Sequence, residues 1–193
     1  MQKQSSKKRN YILYRNTSIK EHTSIKIGGI VKCLIIPKNK EALILLVKKC
    51  INLNLNYYII GKGSNLLIND SYHDKYFIKN TSALNKIYLK GTYIYAESSI
   101  SLQKLASFCL KNNLYCLDFL YCIPGTLGGA IYMNAGRGEK HNQSISKYIV
   151  KVEVFDGKRI FFIKNEDCKF SHRSSIFQKK KYLILSCLLK LPK

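Results

Sequence analysis

Residues 57–68 read Tyr57-Tyr58-Ile59-Ile60-Gly61-Lys62-Gly63-Ser64-Asn65-Leu66-Leu67-Ile68: an aromatic and β-branched run, a glycine-rich centre and a second apolar run. The order predicts strand, tight loop, strand. Gly61 and Gly63 permit positive φ and close approach to the backbone, where successive N–H groups can form a concavity for an anion. Ser64 and Asn65 add side-chain donors. The spacing does not complete a dinucleotide fingerprint, because position 66 is Leu and no helical pattern follows. Nor does it make a Walker loop, since Gly63 stands where a hydroxyl is required. On the residues alone, a plain hairpin turn and a phosphate-binding loop both remain open.

The elements around this loop follow from periodicity. Val31–Ile36 is a strand closed by Pro37, and Leu43, Leu46, Val47, Cys50 and Ile51 lie on one face of a helix over residues 39–54. With Tyr57–Ile60 they form a β-α-β unit. Short strands are expected at 76–79, 86–89 and 93–96. A helix over 101–112 would bury Leu102, Leu105, Ala106, Cys109 and Leu110, with Ser98 and Ser99 as candidate caps. Residues 148–155 and 159–163 flank the turn Asp156-Gly157 as a hairpin, and a last strand spans 182–191. Residues 1–16 lack a period and are expected to be a loosely ordered basic arm.

A chain of 193 residues, 46% of them apolar, can bury a substantial core. Its 33 Lys and Arg against 11 Asp and Glu invite a nucleic-acid reading. Yet the arginines number only five (Arg9, Arg15, Arg137, Arg159, Arg173), and the basic residues are dispersed apart from Lys7-Lys8-Arg9 and Lys179-Lys180-Lys181. Arg is the residue of bidentate phosphate and base recognition, so the charge reads as a field favouring anionic small molecules and nucleic acid is not the expected partner. Seven cysteines without a C-x-x-C pair suggest neither zinc nor a disulfide framework, so no metal is expected. No run approaches the ~20 apolar residues of a membrane span, and no signal-peptide core is present, so a cytoplasmic protein without a membrane partner is expected.

Two small-residue stretches carry the rest of the reading: Ile123-Pro124-Gly125-Thr126-Leu127-Gly128-Gly129-Ala130 and Tyr132-Met133-Asn134-Ala135-Gly136-Arg137-Gly138. Gly128, Gly129 and Ala130 either let a helix pack closely or leave room for a planar cofactor. Pro124 near a helix start would leave N–H groups for a phosphate or a carbonyl.

With His22–Gly29, Gly61–Asp70 and Phe170–Phe177, these stretches run in the order of the flavin-dependent UDP-N-acetylenolpyruvoylglucosamine reductases (UDP-N-acetylmuramate dehydrogenases), which the chain resembles over residues 17–191. The resemblance implies an α+β, two-subdomain FAD-binding fold of the p-cresol methylhydroxylase/vanillyl-alcohol oxidase type. Subdomain one would span 17–80 and subdomain two 81–193. It assigns Gly61, Lys62, Gly63, Ser64 and Asn65 to the FAD pyrophosphate. Ile123, Pro124, Gly125, Thr126, Gly128, Gly129 and Ala130, with Asn134, Ala135 and Gly136, fall to the flavin and its linker. In the family NADPH is the hydride donor and UDP-N-acetylglucosamine enolpyruvate the substrate of peptidoglycan synthesis.

Arg173 matches the family arginine that stabilises an enolate-like intermediate. His172 stands where the family usually has Tyr, Cys122 where it usually has Gly, and Arg137 where it commonly has a small residue. Family members continue into a third, substrate-binding domain with a serine proton donor and a glutamate, and that domain is not expected in this chain. The alternatives are a non-catalytic or repurposed FAD-binding protein, or one half of a split reductase whose third domain a separate chain supplies; a basic nucleic-acid-binding protein ranks below both.

Overall fold

The computed structural model describes residues 10–137 and 143–192. Of the basic stretch expected at 1–16, residues 1–9 therefore lie outside the described residues. The chain divides into two compact units, Met1–Ala83 and Leu84–Lys193.

The first unit is a four-stranded mixed sheet. Strand β1 (Tyr11–Ser18) pairs antiparallel with β2 (Ile30–Pro37). Strand β4 (His73–Lys79) lies parallel between β2 and β3 (Tyr57–Ile60), giving the order β1-β2-β4-β3. The loose arm expected through residue 16 is thus corrected, because residues 11–16 are strand. Asn16 sits at φ +45° and interrupts the apolar/polar alternation that would have announced it.

Helix α1 (Lys40–Asn52) connects β2 to β3, and the Asn39 side chain caps it by accepting from the Ala42 N–H at 2.9 Å. Ala42, Leu43, Leu46, Val47 and Cys50 are buried, whereas Ile51 is exposed. Eight residues along a 3.6-residue helix turn a side chain roughly 80° from the first, which puts Ile51 at the rim. One sheet face carries Ile19, Val31, Leu34, Ile60 and Phe77, with Tyr14, Leu66 and Ile68 packed against them.

The strand expected at 66–68 does not form. Leu66 and Ile68 reach the core from a loop, Leu67 points outward, and the next strand starts only at His73. An apolar run of three can bury its side chains over a sheet face as readily as in a ladder.

The second unit is a five-stranded antiparallel sheet. Its strands are β5 (Ile87–Lys90), β6 (Tyr93–Glu97), β9 (Ile149–Phe155), β10 (Ile160–Lys164) and β11 (Leu183–Lys190), in the order β10-β9-β11-β6-β5. The last strand in sequence is therefore the middle strand in space, and nearly all of β11 is buried. A small ribbon, β7 (Gly136–Arg137) with β8 (Gln143–Ser144), stands apart from the sheet.

Helices α2 (Leu102–Lys111) and α3 (Leu127–Met133) contribute Leu105, Cys109, Leu127 and Ile131 to the core shared with Val152 and Leu189. Leu110, expected in that core, is exposed for the same angular reason as Ile51. The α2 cap is Ser101, whose Oγ accepts from the Lys104 N–H at 3.2 Å. Ser99 Oγ, expected as a cap, instead accepts from the Leu84 N–H at 3.1 Å.

The β9–β10 turn rests on the Asp156 carboxylate, which accepts from the Lys158 and Arg159 N–H groups at 2.8 Å each. These backbone donors hold its carboxyl below the usual carboxylate range. A depressed folded-state pKa contributes stability above the unfolded value and loses it as pH falls through the folded value. Asp156→Ala is therefore expected to lower the melting temperature at pH 7 and to converge on wild type in a melting series carried below pH 3.8.

Candidate functional site

In the first unit the glycine loop is held by a neighbouring turn. The Ser24 N–H donates to Gly63 O at 3.1 Å, and a Cβ on Gly63 (φ +71°) would lie 2.5 Å from His22 O and 2.9 Å from Thr23 Cα. Gly63 is thus required by backbone contact as well as by its dihedral. The buried Thr23 hydroxyl lies 3.1 Å from Lys20 O and 3.0 Å from Ile27 O, which shapes that turn.

The same logic explains Gly28 and Gly29. The Gly28 N–H donates to Asp70 Oδ1 at 3.2 Å and the Gly29 N–H to Asn69 O at 2.9 Å. A Cβ on Gly29 would run into the Ser71 carbonyl oxygen. Two loops thus close over one sheet face, and they leave Lys62 and Asn65 exposed with Gly61 and Ser64 half-buried.

In the second unit, the start of α3 has its donors committed. The Leu127 N–H donates to Ile100 O at 2.8 Å, Gly128 N–H to Ser98 O at 2.9 Å, Gly129 N–H to Thr126 Oγ1 at 3.4 Å and Ala130 N–H to Thr126 O at 2.9 Å. The expectation that Pro124 would leave N–H groups for a ligand is therefore corrected at these four positions. The helix start is instead tied back to the segment after β6, and the Leu102 N–H donates to Gly125 O at 3.2 Å on the same line.

The two adjacent glycines have different reasons to exist. A Cβ on Gly128 would meet Ser98 Cβ at 3.0 Å and Ser98 O at 3.3 Å, so this glycine serves close packing. Gly129 is exposed, and a Cβ there would meet only Thr126 Oγ1 at 3.6 Å, an ordinary contact. Packing does not demand glycine at 129.

At the other end of α3, Asn134 adopts the left-handed conformation (φ +45°, ψ +57°) and is buried. Its Nδ2 donates to Ser171 O at 2.8 Å, and the Ser146 N–H donates to its Oδ1 at 3.4 Å. Ala135 is buried, and Gly136 pairs with Ser144 at a place where a Cβ would strike Gln143 O.

Ser171 opens a tight turn. The Ser171 and Ser174 N–H groups each donate to the other's carbonyl, at 3.1 and 3.2 Å, and Arg173 occupies the turn at φ +52°. A non-glycine residue with positive φ is uncommon and persists where the surroundings impose it. Here Ser175 Oγ donates to Tyr132 O at 2.7 Å and Gln178 Nε2 to Arg173 O at 3.0 Å, while the Arg173 side chain is exposed. The structure therefore brings Arg173 together with Asn134 at the end of α3. Ser175 and Gln178, which hold the turn, escape sequence reasoning because each acts on a backbone carbonyl more than 40 residues away or on a turn that has no apolar period.

The buried cysteines are quiet. Burial pushes the Cys109 and Cys168 thiols up to about 12 and raises Cys187 further, so they stay protonated and unreactive at neutral pH. Among the described residues no cluster of His, Cys, Asp or Glu could hold a metal ion, and no helix is long and apolar enough to cross a membrane.

The contrast between glycines is testable by urea denaturation. Gly63→Ala is expected to lower stability by about 1–3 kcal/mol, from strain and backbone collision. Gly129→Ala is expected to leave stability unchanged or raise it by up to about 1 kcal/mol, as for glycine in a helix interior.

Comparison with known proteins places this geometry. Residues 31–158 match a family model described as an FAD binding domain. The chain is 37% identical, over 93% of its length, to a UDP-N-acetylenolpyruvoylglucosamine reductase of Caldanaerobacter subterraneus subsp. tengcongensis. It is 39% identical, over 91%, to that of Clostridium kluyveri. It spans 58% and 57% of those two relatives' own lengths.

Among solved structures, the UDP-N-acetylenolpyruvylglucosamine reductase of Thermus caldophilus superposes with a TM-score of 0.77 at 26% identity, covering 92% of this chain and 61% of that one. Cholesterol oxidase from Brevibacterium sterolicum, at 10% identity and a TM-score of 0.66 over 99% of this chain and 40% of that one, shares the fold alone. The architecture is the α+β FAD-binding fold of the p-cresol methylhydroxylase/vanillyl-alcohol oxidase type. The chain belongs to the FAD binding domain family, and the curated relatives it resembles are UDP-N-acetylenolpyruvoylglucosamine reductases.

Proposed function

We propose that this chain is the FAD-binding part of a reductase that uses NADPH to reduce the enolpyruvyl double bond of UDP-N-acetylglucosamine enolpyruvate to UDP-N-acetylmuramate, a cytoplasmic step of peptidoglycan synthesis. The observation that carries the reading is Gly129. It is an exposed glycine that packing does not require, on a helix whose first-turn donors are already committed and whose far end holds the Arg173 turn.

The residues present fit the cofactor. In the first unit, Gly61, Lys62, Gly63, Ser64 and Asn65 form a narrow loop at the carboxyl ends of parallel strands β3 and β4, the edge of an α/β sheet at which ligands bind. Exposed Lys62 lends positive charge for a pyrophosphate there. In the second unit, Ile123, Pro124, Gly125 and Thr126 lead into α3, and Gly129 keeps one side of that helix bare for a flat ring. Gly128, Ala130, Ala135 and Gly136 act by keeping the backbone close, and Asn134 acts by fixing the Ser171 turn. FAD supplies the hydride transfer chemistry, and the protein supplies position and electrostatics.

Arg173 is the proposed catalytic residue. Its exposed guanidinium, on a turn pinned by Asn134, Ser175 and Gln178, would stabilise negative charge developing on the substrate. A fixed cation aimed at developing charge is an effective way to lower such a barrier. The backbone ties matter because they fix the point at which the side chain leaves the turn.

The test is the visible spectrum of protein reconstituted with FAD, followed anaerobically through addition of NADPH and then of the enolpyruvyl sugar. Bleaching and recovery of the flavin bands are expected. Arg173→Ala is expected to keep FAD and bleaching but slow reoxidation by roughly 10²–10³-fold. Unchanged reoxidation in that variant removes Arg173 from the chemistry, and protein that takes up no FAD overturns the reading altogether.

A further inference from the structure

A lysine–histidine pair stands beside the glycine loop. Lys79 Nζ lies 3.1 Å from His22 Nδ1, and both side chains are half-buried. An ammonium group can only donate, so His22 Nδ1 is the acceptor and a neutral ring carries its proton on Nε2. The pair therefore presents only donors to its surroundings.

Its charge environment is one-sided. Lys26 adds a second cation that acts on both members, and Glu21, the nearby carboxylate, is engaged by Lys26 at 3.2 Å. Burial and the neighbouring lysines lower the pKa of His22 and of Lys79, the mark of a site where positive charge is held against resistance. A half-buried ammonium whose hydrogen-bond acceptor is an imidazole rather than a carboxylate is a costly arrangement that an anion would relieve.

The location identifies the anion. Lys79 closes β4 and pairs in register with Ile60, the residue before the loop, and the Asn80 N–H donates to Ile60 O at 2.8 Å. His22 belongs to the turn whose carbonyl abuts Gly63, and Ser24 donates to the Gly63 carbonyl. The two side chains thus come from the two segments that bracket Gly61–Asn65 in space, at the carboxyl ends of parallel strands.

We propose that Lys79 and His22 form a side-chain phosphate contact flanking the Gly61–Asn65 loop, so that a dinucleotide pyrophosphate is held there by an ammonium and a neutral imidazole N–H as well as by backbone. This rests on the reading of the chain as an FAD protein. Lys79 supplies charge and direct donation, and His22 orients the ammonium and offers its Nε2 proton.

The experiment is FAD titration of the full apo chain by flavin fluorescence quenching at several salt concentrations. Wild type is compared with Lys79→Met, Lys79→Arg and, as a control for the general field, Lys32→Met, which removes an exposed lysine paired with Asp74 at 2.7 Å. A hydrogen bond to a charged group is worth about 1.5–3 kcal/mol, so K79M is expected to lose roughly ten- to a hundredfold in affinity. Its salt dependence is expected to flatten, with K79R close to wild type and K32M changed by less than about twofold.

If K79M binds FAD as K32M does, or if K79R loses as much as K79M, the phosphate contact is overturned while FAD binding stands. If wild type binds no FAD, the underlying functional reading falls with it. Should K79M not fold, His22→Gln, in the turn outside the sheet, decides. A loss of about threefold or more supports the pair, and wild-type affinity overturns it.

Discussion

The arrangement of the second unit depends on where the first-turn N–H groups of α3 go. They are given to Ile100 O, Ser98 O and Thr126, so the helix is attached through its backbone to the segment that follows β6. Gly128 is the condition for that attachment, because a Cβ there would press on Ser98 at 3.0 Å. With the helix start fixed, its end is fixed too. Asn134 can then reach Ser171, and the turn carrying Arg173 is set by bonds to carbonyls rather than by packing of its own side chain. The same commitment removes those donors from any ligand, which shifts the proposed flavin contact from the helix dipole to the bare surface at Gly129.

The first unit reaches a comparable result through close contact between loops. Gly29 and Gly63 each allow a close backbone crossing, across which the Ser24 N–H donates to Gly63 O and the Asp70 carboxylate accepts from the Gly28 N–H. The two loops so joined cover one sheet face with Ile19, Leu66 and Ile68 and place a lysine-rich edge beside the glycine loop. The strong basic composition thereby acquires a local meaning. Lys62 lies in that loop, Lys79 closes the strand beside it, and the charge of Lys26 acts on Lys79.

Much of this was legible in advance. The β-α-β order, the hairpin around Asp156-Gly157 and the amphipathic faces of α1 and α2 follow from period and turn chemistry, and the structure places them within a few residues of the expected bounds. The collinear motifs pointed to the FAD-binding fold, which the family match and the superposed structures bear out. The errors share a cause. Strand β1 was hidden by Asn16 at positive φ, residues 66–68 bury apolar side chains without a ladder, and Ile51 and Leu110 sit at helix rims. In each case local pattern was read where the position in the sheet or helix decided the outcome.

The chain itself determined which segments are extended and which are helical, because those depend on neighbours within a few residues. Only the tertiary structure decided why each glycine is there. It separated Gly128, which packs against Ser98, from Gly129, where a side chain would meet only Thr126 at an ordinary distance, and it showed that the first-turn α3 donors are spent. It also brought His22 and Lys79 together across 57 residues and made the last strand the middle of its sheet. Contacts between distant segments leave no periodic trace in sequence, since their energy comes from hydrogen bonds and close approaches that exist only once both partners are folded.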